Sequence, residues 1–165
     1  MILSTVGHSL SELRNFIELL EHHGIALLVD VRSKPRSRVA HFDGIPLQEA
    51  IELAGIRYRF MGDKLGGMPK DPQVAQLWRQ GKLDERIIAH LRSTDEWSDG
   101  IAELVSLIKR TDGGVAIMCS EADPNECHRK AVALDAAEAL PSLEIRHIAV
   151  DRTVPTEVGL QEVLL

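Results

Sequence analysis

The segment Ile25-Ala-Leu-Leu-Val-Asp-Val31 restricts the possible folds more than any other stretch of the sequence. It is apolar at every position except Asp30, whereas a strand with one solvated face would alternate apolar and polar residues. A strand without this alternation is typical of a parallel sheet that helices cover on both faces. The segment therefore predicts an α/β fold.

The rest of the chain alternates short apolar runs with segments of helical periodicity. Strands are predicted at residues 2–6, 25–31, 56–60, 115–119 and 144–150. Helices are predicted after the capping-box pattern Ser9-Leu-Ser-Glu12, after Pro46, at Leu83–Leu91, at Trp97–Ile108 and over 124–139, with mostly loop at 61–81. We expect a mainly parallel central sheet with helices on both faces, and one domain over residues 1–165, because no linker or repeat interrupts the pattern.

Composition narrows the class of protein. An apolar fraction of 44% is ordinary for a globular chain, and no apolar run approaches the ~20 residues of a membrane helix. The first residues lack the basic start, long apolar stretch and cleavage site of a signal peptide. Two cysteines do not make a disulfide framework. We therefore expect a cytoplasmic protein with reduced thiols that does not bind membranes.

The charge is unevenly distributed. The net charge of −6 argues against general nucleic-acid binding, which depends on neutralising phosphates. The segment from Asp30 to His41 nevertheless contains four basic residues and one acidic residue. This segment is either a local anion-binding site or a solvated loop.

Residues capable of chemistry follow the predicted strands. His8 follows the first strand, Asp30 and Arg32 lie at the end of the second, and Cys119 ends a later one. Ligands of open α/β sheets bind beyond the carboxyl ends of the strands. We therefore expect these side chains to lie on one edge of the sheet.

The segment from Cys119 to Arg129 is the strongest candidate for chemistry. The pattern Asp123-Pro-Asn-Glu126 indicates a helix start, which places Cys127 and His128 in or just after the first turn. The helix dipole and Arg129 would favour a thiolate at Cys127. In the alternative interpretation both cysteines are structural, since free cysteine is among the most buried residue types.

The segment was also a candidate for a phosphatase-like anion site, a zinc site or a reversible disulfide. Its loop has no glycine and carries three acids, which argues against a phosphatase-like anion cradle. The seven residues between Cys119 and Cys127 are not typical zinc spacing, and a helix start would point Cys127 and His128 in different directions. We therefore assign no metal ligands, and a metal-dependent protein with Cys119, Cys127, His128 and His8 as candidate zinc ligands stays a third alternative. A reversible disulfide between the two cysteines stays open.

Several stretches taken together resemble one family, the domain of unknown function 488 family. They are Thr5-Val-Gly-His-Ser9, Leu28-Val-Asp-Val-Arg32, Lys34-Pro-Arg-Ser-Arg38, Tyr58, Leu65-Gly-Gly67, Cys119-Ser-Glu121 and Cys127-His-Arg129. The resemblance covers nearly the whole chain but implies no established activity. It singles out Gly7, His8, Asp30, Arg32, Pro35, Ser37, Arg38, Gly66, Gly67, Cys119, Glu121, Cys127, His128 and Arg129.

Two functional hypotheses follow. In the first, the chain is an enzyme for a small anionic substrate, such as a nucleotide or a nucleic-acid end, with Cys119 or Cys127 as nucleophile and His128 or His8 moving protons. The predicted substrate-binding residues are Asp30, Arg32, Arg38, Glu121 and Arg129. In the second, a noncatalytic module binds an anion or a nucleic-acid end, and the cysteines are structural. The sequence identifies neither a cofactor nor an oligomeric state.

Overall fold

A computed structural model describes residues 1–80, 83–150 and 160–163, with Val150 and residues 160–163 described by their backbone alone. The predicted domain limit at residue 165 lies outside the described residues. The strands are β1 (Ile2–Gly7), β2 (Ile25–Asp30), β3 (Arg57–Phe60), β4 (Gly114–Cys119), β5 (Glu144–Val150) and β6 (Leu160–Val163). The α-helices are α1 (Leu13–His22), α2 (Gly44–Leu53), α3 (Gly62–Leu65), α4 (Pro72–Trp78), α5 (Glu85–Arg92), α6 (Asp95–Arg110) and α7 (Arg129–Ala139), and short 3-10 helices lie at Ala40–Phe42 and Pro124–Glu126.

The strands form one sheet in the order β3-β2-β4-β1-β5-β6. Strands β1 to β5 pair in parallel, and β6 pairs antiparallel with β5 at the edge. The predicted mainly parallel sheet with helices on both faces is confirmed. None of the helices in the described ranges has the length and apolar character needed to cross a membrane.

Two apolar cores cover the two faces of this sheet. Val29 and Ile117 belong to the core formed with α5, α6 and α7, whereas their neighbours Leu28 and Met118 belong to the core formed with α1 and α2. Successive strand residues point to opposite faces, so β2 and β4 are buried on both sides. Each fully buried Leu, Ile, Val or Phe side chain stabilises the fold by about 1.5–3 kcal/mol.

The connections create a crevice at the carboxyl edge. Strands β1 and β2 lead into α1 and α2 on one face, and β4 leads into α7 on the other. Since β4 lies between β1 and β2 in the sheet, its loop diverges from those of both neighbours. Such divergence is where ligands bind in open α/β sheets.

The predicted capping box at Ser9 to Glu12 is wrong. Helix α1 begins at Leu13, and Glu12 occupies the N-cap position without a side-chain hydrogen bond to the helix. Ser9 adopts a positive φ of 46°, because the chain turns sharply as it leaves β1. The pattern of residue types was present, but the turn moves Ser9 away from the helix start.

The prediction of mostly loop at residues 61–81 is also wrong for two segments, helices α3 and α4. The side chain of Asp71 accepts hydrogen bonds from the backbone N–H groups of Gln73 and Val74, and Pro72 takes the first helical position. This is the same cap-plus-proline signal that predicts a helix start elsewhere in the chain. The sequence analysis overlooked this signal because glycine and proline are frequent in residues 61–81.

Candidate functional site

The segment after β4 departs from the predicted continuous helix over 124–139. Asp123 accepts a hydrogen bond from the N–H of Asn125 and Pro124 opens a helix as expected, but this helix is a single 3-10 turn. Cys127 is then extended, with φ −133° and ψ 137°, and α7 begins only at Arg129. The helix is interrupted at Cys127, which therefore lies just ahead of α7 and not within its first turn.

This interruption brings Cys127 and His128 to the same point. His128 Nδ1 lies 3.9 Å from Cys127 Sγ and 4.0 Å from Cys119 Sγ. All three donor atoms lie within 4.8 Å of one another, and all three residues are buried. The argument that Cys127 and His128 point in different directions is therefore wrong, because it assumed a helical backbone at Cys127.

The imidazole of His128 is held in a defined orientation. Its Nε2 lies 2.9 Å from the backbone carbonyl oxygen of Val31. A carbonyl can only accept, so Nε2 carries a proton, and Nδ1 is the atom that faces the two sulfurs. Histidine ligands of metals show this arrangement, in which the second ring nitrogen donates to a carbonyl or carboxylate.

The two thiols have unequal acidities. The hydrogen bond from Cys119 lowers the pKa of Cys127, and the nearby His128 and Arg129 lower it further against the effect of burial. The hydrogen bond to Cys127 and burial raise the pKa of Cys119. Burial lowers the pKa of His128, but its hydrogen bond to Cys127 and the charge there outweigh burial and raise it. The lowered pKa of Cys127 supports the predicted thiolate, which itself stays a prediction.

Glu121 lies beside the cluster. Its side chain is exposed, and Oε2 accepts a hydrogen bond of 3.1 Å from Cys119 Sγ. Among the hydrogen bonds of the described residues, the bond to Glu121 is the one that joins a carboxylate to the cluster. This position suits a general base or a further ligand rather than a group that binds an anion.

Arg129 supports the loop from inside. Its side chain is buried, and its two terminal nitrogens donate hydrogen bonds to the backbone carbonyls of Glu121 and Ala122, at 2.6 and 2.8 Å. The guanidinium therefore fixes the loop that carries Glu121. It is not presented to solvent as the predicted anion clamp requires.

The Gly66-Gly67 loop packs closely against its neighbours. A Cβ on Gly67 would lie 2.6 Å from the His128 ring and 3.0 Å from the Trp78 ring. A Cβ on Gly66 would lie 2.7 Å from Ser33. Only glycine at 67 leaves room for His128 and Trp78 together.

A cleft of about 610 Å³ opens over the cluster. This volume falls within the range of small-molecule sites. Its lining consists of Trp78, Leu83, Glu121, Asn125, Glu126, Cys127 and His128. The sequence analysis missed Trp78, which has one available signal: it is a tryptophan in a chain with only two.

A separate cluster on the α1 and α2 face contains three more of the predicted residues, His8, Asp30 and Arg32. Arg32 donates to both carboxylate oxygens of Asp30, which also accepts from the Tyr58 hydroxyl at 2.7 Å. Arg32 donates a further bond to the carbonyl of Phe42, and the His8 ring stacks on Phe42 at a centroid distance of 4.3 Å. All of these residues lie at the same edge as Cys119, but on the other face of the sheet.

The three arginines predicted to bind an anion do not converge. Arg32 is paired with Asp30, Arg129 supports the loop, and Arg38 is exposed on the segment after β2. The pairing of Asp30 with Arg32 gives this motif a structural role without a bound anion. Binding of a small anion or a nucleic-acid end by Arg38 stays a prediction, as does proton transfer by His8.

Comparison with known proteins gives one match. The family model described as Domain of unknown function DUF488 matches residues 12–134, more than half of the chain. The resemblance seen in the sequence is thereby confirmed. No curated protein and no solved structure matches the chain.

The buried Asp30–Arg32 pair makes a prediction about stability. Substituting Arg32→Met leaves the Asp30 carboxylate buried and uncompensated, so the free energy of unfolding should fall by about 3–5 kcal/mol. Urea denaturation measures this change. The matched control is Arg38→Met, which removes an exposed arginine and should change stability by no more than about 0.5 kcal/mol. Equal effects of the two substitutions would contradict a structural role for the pair.

His8 makes a prediction about pH. Burial and the charge of Arg32 lower the pKa of His8 from 6.5 to about 4. Since the unfolded chain binds the proton more readily, stability should be lost as the pH falls from 6.5 towards 4. Between pH 7.5 and 4.5 the wild type should lose roughly 2–3 kcal/mol more unfolding free energy than His8→Asn. Urea denaturation at both pH values tests this, and identical losses in the two proteins would contradict it.

Proposed function

The chain belongs to the Domain of unknown function DUF488 family, and we propose that it is a metal-dependent hydrolytic enzyme with Cys119, Cys127 and His128 as ligands. The observation that carries the proposal is the convergence of two sulfurs and one imidazole nitrogen within 4.8 Å. The hydrogen bond from His128 Nε2 to Val31 supports it, since it directs Nδ1 at the sulfurs.

The spacing of the donor atoms suits Zn²⁺. Zn–S bonds of about 2.3 Å and Zn–N bonds of about 2.0–2.1 Å give a tetrahedron with S···S edges of about 3.8 Å and S···N edges of about 3.6 Å. The observed S···N separations are 3.9 and 4.0 Å. The S···N separations would have to shorten by a few tenths of an ångström, and the two sulfurs, which lie within 4.8 Å of each other, would have to approach by up to about 1 Å.

The charges of the donors support the same metal. Cysteine binds metals as a thiolate, and two thiolates neutralise one divalent cation. The thiols of Cys119 and Cys127 are buried, where unpaired negative charge is costly. A bound divalent cation compensates the negative charge of both thiolates. A single proton shared between the two sulfurs compensates the charge of only one of them.

Three protein ligands and an adjacent cleft favour a catalytic centre. Structural zinc sites have four protein ligands, whereas catalytic sites have three and leave one position for water or substrate. Cys127 and His128 line the cleft, so the fourth position can open into it. A metal at this place would lower the pKa of a bound water.

Glu121 supplies the proton-transfer group. Its carboxylate lies 3.1 Å from Cys119 Sγ and also lines the cleft. It can take a proton from the attacking water and give it to the leaving group. The water oxygen then bonds to the electrophilic carbon, the bond from that carbon to the leaving atom breaks, and the leaving atom receives the proton.

Metal content tests the ligand set. The full chain, purified without chelator and supplied with Zn²⁺, should bind about one equivalent, because three ligands converge. Cys119→Ser, Cys127→Ser and His128→Asn should each weaken binding at least about tenfold, as loss of even an outer-shell partner does. Elemental analysis and titration with a zinc indicator measure this.

The control for His128→Asn is His8→Asn, which changes a buried histidine at the same edge but on the other face. It should retain the full metal content. Absence of stoichiometric metal in the wild type, or equal loss in both histidine variants, would contradict the proposed centre.

A second function, thiol catalysis without a metal, is favoured by the contact between Cys127 and His128. The low pKa of Cys127 and the raised pKa of His128 describe a thiolate–imidazolium pair that lines the cleft. In this case metal-free protein should react rapidly with iodoacetamide at Cys127 below pH 7, and Cys119→Ser should retain that reactivity. Activity that survives complete chelation would favour this function over the first.

Glu121 provides the test of hydrolysis. The zinc-loaded chain should hydrolyse the neutral ester 4-nitrophenyl acetate, and Glu121→Gln should slow this reaction about 100-fold or more while retaining zinc, because it removes the base. Release of nitrophenolate is followed by absorbance. Glu138→Gln, on the exposed side of α7, is the matched control and should keep the wild-type rate. Equal rates in the two variants would exclude Glu121 as the base.

A further inference from the structure

We infer that the cleft over the cluster selects substrates with a planar apolar body and a positively charged or hydrogen-bond-donating nitrogen group, such as an amidine or guanidine. The inference deepens the proposed function and rests on it for the reaction. The preference itself rests on the residues of the cleft. It also replaces the anionic substrate that the basic segment of the sequence suggested.

The side chains at the cleft carry negative charge. Glu121 and Glu126 are both exposed and both line it. Within the part of the chain that the structure describes, the lining includes no lysine or arginine. A Zn²⁺ ion held by two thiolates and a neutral imidazole would add no net charge. The cleft would therefore repel an anion and attract a cation.

Three cationic side chains at this edge of the sheet are already engaged. Arg129 donates its two terminal nitrogens to carbonyls inside the loop, and Lys130 Nζ donates a 2.6 Å hydrogen bond to Asn125 Oδ1. Arg32 is buried with Asp30 on the other face of the sheet. Arg129 and Arg32 therefore donate to buried groups of the protein, whereas the Lys130 ammonium is held by Asn125, which lines the cleft.

Part of the cleft lining is apolar. It is formed by Trp78 and Leu83, both partly buried. The position of a Cβ on Gly67 would lie within 3.0 Å of both the Trp78 and the His128 rings, so the indole lies next to the histidine of the cluster. An indole face attracts cations as well as flat apolar groups. The reacting carbon of a ligand on Trp78 would thus be near His128.

His128 provides an observation independent of the acidic residues. It is 2% exposed, yet it lines the cleft, and its Nδ1 is directed at the two sulfurs instead of a hydrogen-bonding oxygen. The cleft thus has a buried, chemically competent floor beneath an acidic rim. A solvated acidic surface would lack this floor.

The reaction that joins these features is hydrolysis of a carbon–nitrogen bond. For an amidinium, the water oxygen bonds to the central carbon and one C–N bond breaks. The nitrogen takes the proton that Glu121 removed from the water and leaves as ammonia. The second water proton, still on the product oxygen, then passes through Glu121 to the ammonia, so the products are an amide and an ammonium ion. No oxidant or further reactant is needed. The acidic rim then favours the cationic substrate over the neutral amide product.

The experiment compares three probes of similar shape and different charge: benzamidinium, benzamide and benzenesulfonate. Isothermal titration calorimetry on the zinc-loaded full chain at low salt should show benzamidinium binding about tenfold or more tighter than benzenesulfonate, because two exposed glutamates act on each charge. Added salt should reduce this ratio. Benzenesulfonate binding as tightly as benzamidinium would overturn the inference.

Variants connect the preference to the cleft. Glu126→Gln should weaken benzamidinium binding about two- to fivefold and leave benzamide binding unchanged. Trp78→Leu should weaken benzamidinium binding by a similar factor. Glu138→Gln, which removes the same charge away from the cleft, should have no effect. Equal effects of Glu126→Gln and Glu138→Gln would overturn the inference.

Metal content measured on the same samples separates the two proposals. A chain that binds zinc but prefers benzenesulfonate refutes the substrate class and leaves the metal centre intact. A chain that binds benzamidinium with the predicted variant effects but holds no zinc supports the cleft preference and refutes the metal centre.

Discussion

The hydrogen bond from His128 Nε2 to the carbonyl of Val31 determines the arrangement of the whole site. Val31 follows β2 and His128 precedes α7, so this bond connects the edge of the sheet to the loop that leaves β4. It fixes both the tautomer and the direction of the ring, and Nδ1 then faces Cys119 and Cys127. Gly67 is required for the same reason, since a Cβ there would lie 2.6 Å from the ring. A different ring orientation would leave two buried thiols without a nitrogen donor.

The loop that carries Glu121 is fixed by hydrogen bonds from Arg129 and packs closely against the backbone of Gly7. Arg129 donates to the carbonyls of Glu121 and Ala122, and a Cβ on Gly7 would lie 1.8 Å from the Glu121 carbonyl oxygen. The buried guanidinium also lowers the pKa of Cys127. Arg129, which resembles a ligand-binding residue in the sequence, therefore fixes the loop of the site and lowers the pKa of its cysteine without lining the cleft. An arginine close to a cysteine in the sequence does not by itself predict which atoms its guanidinium group will bind.

The sequence analysis predicted strands β1 to β5 and their shared edge, because hydrophobic runs and turns are local signals, but it missed the antiparallel strand β6. It predicted that His8, Asp30, Arg32 and Cys119 share an edge, which is correct. It did not predict that Cys119 lies on the α7 face and the other three on the α1 and α2 face. The face of a residue depends on strand register, and register is set by partners far along the chain. The break at Cys127 was missed because a cap followed by proline opens a single 3-10 turn as readily as a long helix.

The two polar clusters at this edge differ in how completely their groups are paired. Asp30 accepts from Arg32 and Tyr58, and Arg32 also donates to a carbonyl, so each charge has its partner. Cys119, Cys127 and His128 contact one another and the Glu121 carboxylate instead. The lone pairs on their sulfur and nitrogen atoms outnumber the protons that they share. A fold selected for stability alone would satisfy both clusters as it satisfies the first. In the proposed function, a metal ion with an open position towards the cleft would be the partner of the second cluster and would make it a reactive centre.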